Sequence, residues 1–135
     1  MGRLESIKIH RADPNEDLVV LAGTTKRSIR FKYGQYGEYF TGQATLYVYA
    51  DSTSSDENFT LKLVHIPSNM IDGDADPSFN IFPRESIGGT LVADGSVHKI
   101  DLYDTGKMKV CDGYAIDYVN GGSEDHTVRM KIVMK

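Results

Sequence analysis

Three short stretches of the chain carry residue types that can do chemistry. Asp72-Gly73-Asp74-Ala75-Asp76 sets three carboxylates at alternate positions. A hard cation such as Ca²⁺ takes several carboxylate and carbonyl oxygens, and a D-x-D-x-D run offers three from one loop. Calcium is therefore the cofactor that Asp72, Asp74 and Asp76 would hold. The run departs from an EF-hand loop, which needs glycine and glutamate where this chain has Pro77 and Pro83. The competing reading is a set of acidic turn residues bonded to their own backbone, with no cofactor at all.

The second stretch, Tyr33-Gly34-Gln35-Tyr36-Gly37-Glu38-Tyr39-Phe40, crowds four aromatics among glycines. Tyrosine presents a large contact area at low rotamer entropy, so Tyr36, Tyr39 and Phe40 are candidates for contact with a partner. The alternative is an aromatic turn packed on its own core. The third stretch, Lys26 to Tyr33, interleaves bases with aromatics, a pattern that can hold single-stranded nucleic acid. Strand alternation argues against it. Ile29, Phe31 and Tyr33 would face one way and Arg30 and Lys32 the other, so neither face both stacks bases and grips phosphates. An edge strand guarded by positive charge is the simpler reading.

Catalytic signatures are missing. There is no Walker-type loop, no G-x-S-x-G and no H-E-x-x-H. His10, His65, His98 and His126 are scattered without ligand-like spacing, which suits hydrogen-bonded structural histidines. Cys111 is the single cysteine, so no intramolecular disulfide forms, and a buried thiol is the expectation. Asn58-Phe59-Thr60 matches a glycosylation sequon, expected to be idle without a secretory leader. The expectation is a protein that is not an enzyme.

The elements that must position these residues read as strands. Apolar and polar residues alternate along Ala44–Ala50, Phe59–Val64 and Thr127–Met134, the period of two that puts successive side chains on opposite faces. Leu18-Val19-Val20-Leu21 is a continuous apolar run, read as a strand covered on both faces or a short buried segment. Thr90–Ala93 and Val97–Tyr103 flank a tight turn at Asp94-Gly95-Ser96. Asp112 to Lys135 reads as one long β-hairpin, with Asn120-Gly121-Gly122 supplying the positive-φ residues of its turn. With 135 residues, 40% of them hydrophobic, the chain is expected to form one domain, 1–135. The expected fold is all-β: a single antiparallel β-sandwich, jelly-roll-like, of about eight to ten short strands.

Charge is unevenly spread. Residues 1–34 hold seven Lys/Arg against four Asp/Glu, residues 35–125 five against fifteen, and residues 126–135 three against none. An acidic middle between basic ends does not suit a nucleic-acid binder. It allows unlike patches to pair between copies, with Arg129 and Lys131 as candidate contacts. No apolar leader or membrane-length helix is evident, so neither secretion through a signal peptide nor a membrane partner is expected.

The cadence Asp112-Gly113-Tyr114-Ala115-Ile116-Asp117-Tyr118-Val119-Asn120-Gly121-Gly122, followed by Val128-Arg129-Met130-Lys131-Ile132, resembles the closing hairpin of small bacteriophage capsid decoration (cement) proteins of β-sandwich, jelly-roll type. The resemblance implies a non-enzymatic virion subunit assembled in the host cytoplasm. It would associate with itself, as a trimer for instance, and clamp a major capsid protein. The alternative is a lectin-like carbohydrate-binding module, with Tyr36, Tyr39, Tyr47 and Tyr49 as sugar platforms and the aspartate run as a calcium loop.

Overall fold

Side chains alternate without a break along Ala44–Asp51. Ala44, Leu46, Val48 and Ala50 are buried, while Thr45, Tyr47, Tyr49 and Asp51 stand half-buried on the opposite face. That period fixes both the extended backbone and the face that packs inward. The computed structural model describes residues 5–8, 18–31, 44–53, 57–66, 84–102 and 113–134. Among them are nine strands and no helix. They are β1 (Glu5–Lys8), β2 (Leu18–Val20), β3 (Thr25–Arg27), β4 (Ala44–Asp51), β5 (Asn58–His65), β6 (Arg84–Val92), β7 (Asp94–Asp101), β8 (Tyr114–Asn120) and β9 (His126–Met134).

Two antiparallel sheets result. One has the order β1-β9-β4-β7, with β2 also paired to β9; the other has the order β3-β8-β5-β6. Apart from β5 and β6, strands that follow one another from β2 onward lie in different sheets. This interleaving is the jelly-roll arrangement, in which two sheets close over one core. The fold class expected from the sequence is the one observed.

The core lies between the sheets. Leu46, Val48, Val128, Met130 and Ile132 from one sheet meet Phe59, Leu61, Leu63, Ile116 and Tyr118 from the other. The rings of Phe59 and Tyr118 stack with centroids 4.7 Å apart. Truncating any of the large aliphatic members to alanine would cost about 2–5 kcal/mol, because the lost transfer energy is compounded by the cavity left behind.

Five local readings are corrected. The segment 112–135 is not a hairpin: β8 pairs with β3 and β5, while β9 pairs with β1, β2 and β4. Two alternating strands joined by a short polar turn look the same in sequence whether they bond edge to edge or face each other across a core. Nor do Gly121 and Gly122 supply positive φ; among the described residues the glycines that do are Gly23, Gly88, Gly89 and Gly95. The apolar run Leu18–Leu21 is covered on one face only, with Val19 50% and Leu21 53% exposed. Finally, the strand expected over Ser28–Tyr33 starts earlier, at β3; beyond β3 the Ser28 N–H bonds to the Ile116 carbonyl and Phe31 bridges to Tyr114, while Lys32 and Tyr33 lie outside the described residues. β3 is an edge strand, as anticipated, but Arg27 is no solvent-facing guard. It is buried and paired with Asp117.

One end of the sandwich is tied by a single carboxylate. Glu57, just before β5, accepts from the backbone N–H groups of Glu124 (2.8 Å) and Ser123 (3.2 Å) and lies 3.2 Å from His126 Nε2. The Glu124 N–H bond is the largest influence holding its carboxyl below the ordinary value; burial opposes it, and Ser123 and His126 reinforce it. Asn120 completes the turn. Its amide donates to the carbonyls of Val20 (3.0 Å) and Glu124 (2.8 Å), and its oxygen accepts from the Gly122 N–H (2.9 Å).

Candidate binding face

The two sheets differ on their outer sides. Along β8 both faces are buried: Ala115 and Asp117 on the outer side are as fully covered as Ile116 and Tyr118 within. The outer side of the five-stranded sheet is open, and its residues fall into cross-strand rows set by the register. One row reads Lys131, Tyr47, Lys99 across β9, β4 and β7. The next reads Arg129, Tyr49, Val97. Lys131, Arg129, Lys99 and Val97 are exposed, Val97 by 60%, and the two tyrosines are half-buried.

Neighbouring strands lie about 4.8 Å apart and same-face residues on one strand about 6.7 Å apart. The two rows therefore make a strip in which two aromatic rings follow one another along the middle strand with cations on both flanks. The guanidinium of Arg129 sits 5.2 Å from the Tyr49 ring centroid, an attraction to the ring's negative face. Tyr49 Oη approaches Asp51 Oδ2 at 3.4 Å, which orients the phenol along the strand. Carboxylates occupy the rows outside the strip: Asp101 opposite Thr45, and Asp51 opposite Thr127. Positive charge thus flanks Tyr47 on both sides, in a chain whose formal charge is −4.

Strip chemistry follows from these groups. Phenol rings offer flat apolar faces and hydroxyls. Lysine and arginine donate hydrogen bonds and carry positive charge without accepting any. The arrangement can hold a flat, oxygen-rich ligand. It has no nucleophile paired with a base and no acid–base couple.

The histidines on the described strands are engaged structurally. Tyr118 Oη lies 2.7 Å from His126 Nδ1, and His126 Nε2 faces Glu57. A carboxylate only accepts, so Nε2 donates to Glu57, and the Nδ1 of a neutral ring accepts the Tyr118 proton. This Tyr–His–Glu chain has the partners of an acid–base relay but is sealed in the core. Burial, and secondarily the Glu57 charge, push the Tyr118 phenol far above its usual range. His65 Nε2 meets Glu85 Oε2 at 3.1 Å, and His98 Nε2 meets the Val92 carbonyl at 3.0 Å. Among the described residues, no group of three or more His, Cys, Asp or Glu is placed to hold a metal ion.

Of the residues singled out in sequence, Arg129 and Lys131 fall on this face, and Tyr47 and Tyr49 lie in register beside them. Tyr36, Tyr39 and Phe40 lie between Phe31 and Ala44, and Asp72, Asp74 and Asp76 between Ile66 and Arg84; all six lie outside the described residues, as do His10 and Cys111. Lys99 and Val97 escaped notice. Their alternation with buried Ile100 was legible, but only the pairing of β7 with β4 brings them to the tyrosines.

No protein-family model matches the chain, and no curated protein matches it. Solved structures are similar to it. The CBM22-1–GH10 modules of the Clostridium thermocellum endo-1,4-beta-D-xylanase 10B, complexed with xylohexaose, superpose with a TM-score of 0.51 at 14% identity, over 99% of this chain and 24% of that one. The SPBc2 prophage-derived protein YomS gives 0.44 at 14% identity, over 99% of this chain and 94% of that one. A family two carbohydrate esterase from Cellvibrio japonicus gives 0.40 at 10% identity, over 99% and 34%. The chain spans about a quarter of the xylanase structure's length. At 14% identity the likeness to the xylanase structure is one of fold.

Proposed function

We propose that this chain is a non-enzymatic recognition protein that holds a sugar chain on the outer face of its five-stranded sheet. The observation that carries the reading is the pair Tyr47 and Tyr49, consecutive outward residues of β4, flanked by Arg129, Lys131 and Lys99. Rings on a rigid central strand are held at little further entropy cost, and pyranose faces stack on such rings while the flanking donors meet hydroxyls. The xylanase structure contributes the fold alone, one that in that protein occurs in a complex with xylohexaose.

A glycan array and affinity electrophoresis with soluble polysaccharides test this. Binding that is lost in Tyr47→Ala and Tyr49→Ala, with melting temperature nearly unchanged, supports it. A blank array for the intact chain overturns it.

A second reading is assembly, the virion-subunit role implied by the resemblance to decoration proteins. It is favoured by Val19 and Leu21, exposed apolar residues at β2 and its end, next to β9 and its exposed Arg129 and Lys131. The partners would be further copies of the chain and a major capsid protein. Light scattering after size exclusion tests the first of these, and a clean monomer at high concentration counts against the assembly reading.

A further inference from the structure

We infer that the sugar chain recognised by the strip is anionic, a polymer carrying carboxylate or sulfate groups on its rings. The inference rests on the sugar-binding reading and adds to it the ligand's charge. Both tyrosine rows contain at least one cation, and the Tyr47 row has one on each side: Lys131 on β9 and Lys99 on β7. Of the carboxylates of this face, Asp101 stands one row beyond Tyr47, while Asp51 and its register partner Asp94 stand one row beyond Tyr49, with Asp51 Oδ2 3.4 Å from Tyr49 Oη; the Tyr47 row is the one flanked by cations alone. A neutral glycan needs no such arrangement. Its hydroxyls are met equally well by amides and carboxylates, so two lysines facing each other across Tyr47 are no requirement for it.

Size separates a sugar chain from an acidic protein surface. Three strands and two rows make a footprint of about 10 by 7 Å. A stable protein interface needs about 800 Å² from each partner with an apolar centre. The strip alternates rings with charges and has Val97 as its one strongly exposed apolar residue. It matches two or three consecutive sugar rings instead. Their faces lie on Tyr47 and Tyr49, and their anionic groups reach Lys131 or Arg129 on one side and Lys99 on the other.

Calorimetric titration of the intact chain with polygalacturonate, its fully methyl-esterified form, dextran sulfate, dextran, poly-L-glutamate and oligodeoxythymidylate tests the inference. Binding to polygalacturonate or dextran sulfate is expected, the stronger of the two naming the anion. The neutral counterparts should bind at least about tenfold more weakly, as should the anionic sugars at about 1 M salt, where the screening length falls to about 3 Å. Lys99→Gln with Lys131→Gln should lower affinity for the anionic polymer while leaving the melting temperature unchanged. Equal binding to esterified and free polygalacturonate overturns the inference and leaves the sugar-binding reading standing. Binding to no polysaccharide overturns both. Poly-L-glutamate or oligodeoxythymidylate binding as tightly as the anionic sugars, and unaffected by Tyr47→Ala, overturns the sugar assignment in favour of simple charge attraction.

Discussion

Tyr118 and His126 are eight residues apart and belong to different sheets, yet Tyr118 Oη lies 2.7 Å from His126 Nδ1. This bond crosses the sandwich where the sequence suggested the ladder of a hairpin. Glu57, on the far side of the imidazole, links the same pair to the start of β5. Three residues from three segments thereby hold the turn between β8 and β9 against the core.

The Glu57 carboxyl is held below its ordinary value of 4.5 in the folded chain. A depressed folded value means stability that is present above the unfolded value and lost as pH falls through the folded one. Glu57→Gln should lower the melting temperature by roughly 5 °C or more near neutrality. The difference from the parent should shrink as pH falls below 4.5. Thermal melts across pH 2.5 to 7 check this, and a difference constant over that range would mean that ionisation of Glu57 is irrelevant.

Tyr118 acts at the other limit. Its folded value is raised above the ordinary 10.0, so its contribution is complete below pH 10.0 and declines as pH climbs toward the folded value. Unfolding monitored by tyrosine ionisation should show late, cooperative titration of the Tyr118 phenol, identified as the part of the signal that Tyr118→Phe removes. Tyr118→Phe should lose stability near neutrality, through the broken bond to His126, but lose less than the parent as pH rises beyond 10.0.

Adjacent glycines in the β8–β9 turn should respond oppositely. A Cβ on Gly121 meets nothing within 4 Å, whereas one on Gly122 overlaps the Glu57 carboxylate. That side chain is pinned by its bonds to Ser123, Glu124 and His126 and cannot swing aside freely. Gly121→Ala should be neutral within about 0.5 kcal/mol. Gly122→Ala should be clearly destabilised in urea unfolding, and parity between the two would show that the clamp is loose.

Arg27 binds Asp117 through two nitrogens, at 2.7 and 3.0 Å, with both side chains fully buried, and Arg84 Nη1 lies 3.6 Å from the same carboxylate. Asp117→Ala strands positive charge in a dry site and should cost about 3–5 kcal/mol. Replacing both partners, Arg27→Met with Asp117→Leu, should cost much less, since a buried pair contributes little net stability over an apolar substitute. Equal losses for the single and double variants in denaturant unfolding would refute this account.

Arg129→Glu with Lys131→Glu tests what the open face does. Both side chains are exposed, so the melting temperature should move little, because surface substitutions stay within about 0.5 kcal/mol. Binding to anionic polysaccharide, or self-association if the assembly reading holds, should fall by about tenfold or more. A large loss of stability with no change in binding would make these residues purely structural.

By itself the sequence determined the strands and their buried faces. Period two along Ala44–Asp51 and Thr127–Ile132 is a local property, fixed by the geometry of an extended chain, and it named Leu46, Val48, Met130 and Ile132 as core before any pairing was known. It also marked Tyr47, Tyr49, Arg129 and Lys131 as facing away from that core. Only the tertiary structure decided which strand lies beside which. Backbone hydrogen bonds are chemically identical along every strand, so partner choice depends on how both apolar faces close over one core, and residues separated by most of the chain must be placed together. That choice split the supposed hairpin between two sheets. It buried Arg27 against Asp117, set Glu57 under a turn almost seventy positions later, and brought Lys99 and Lys131 to opposite sides of Tyr47.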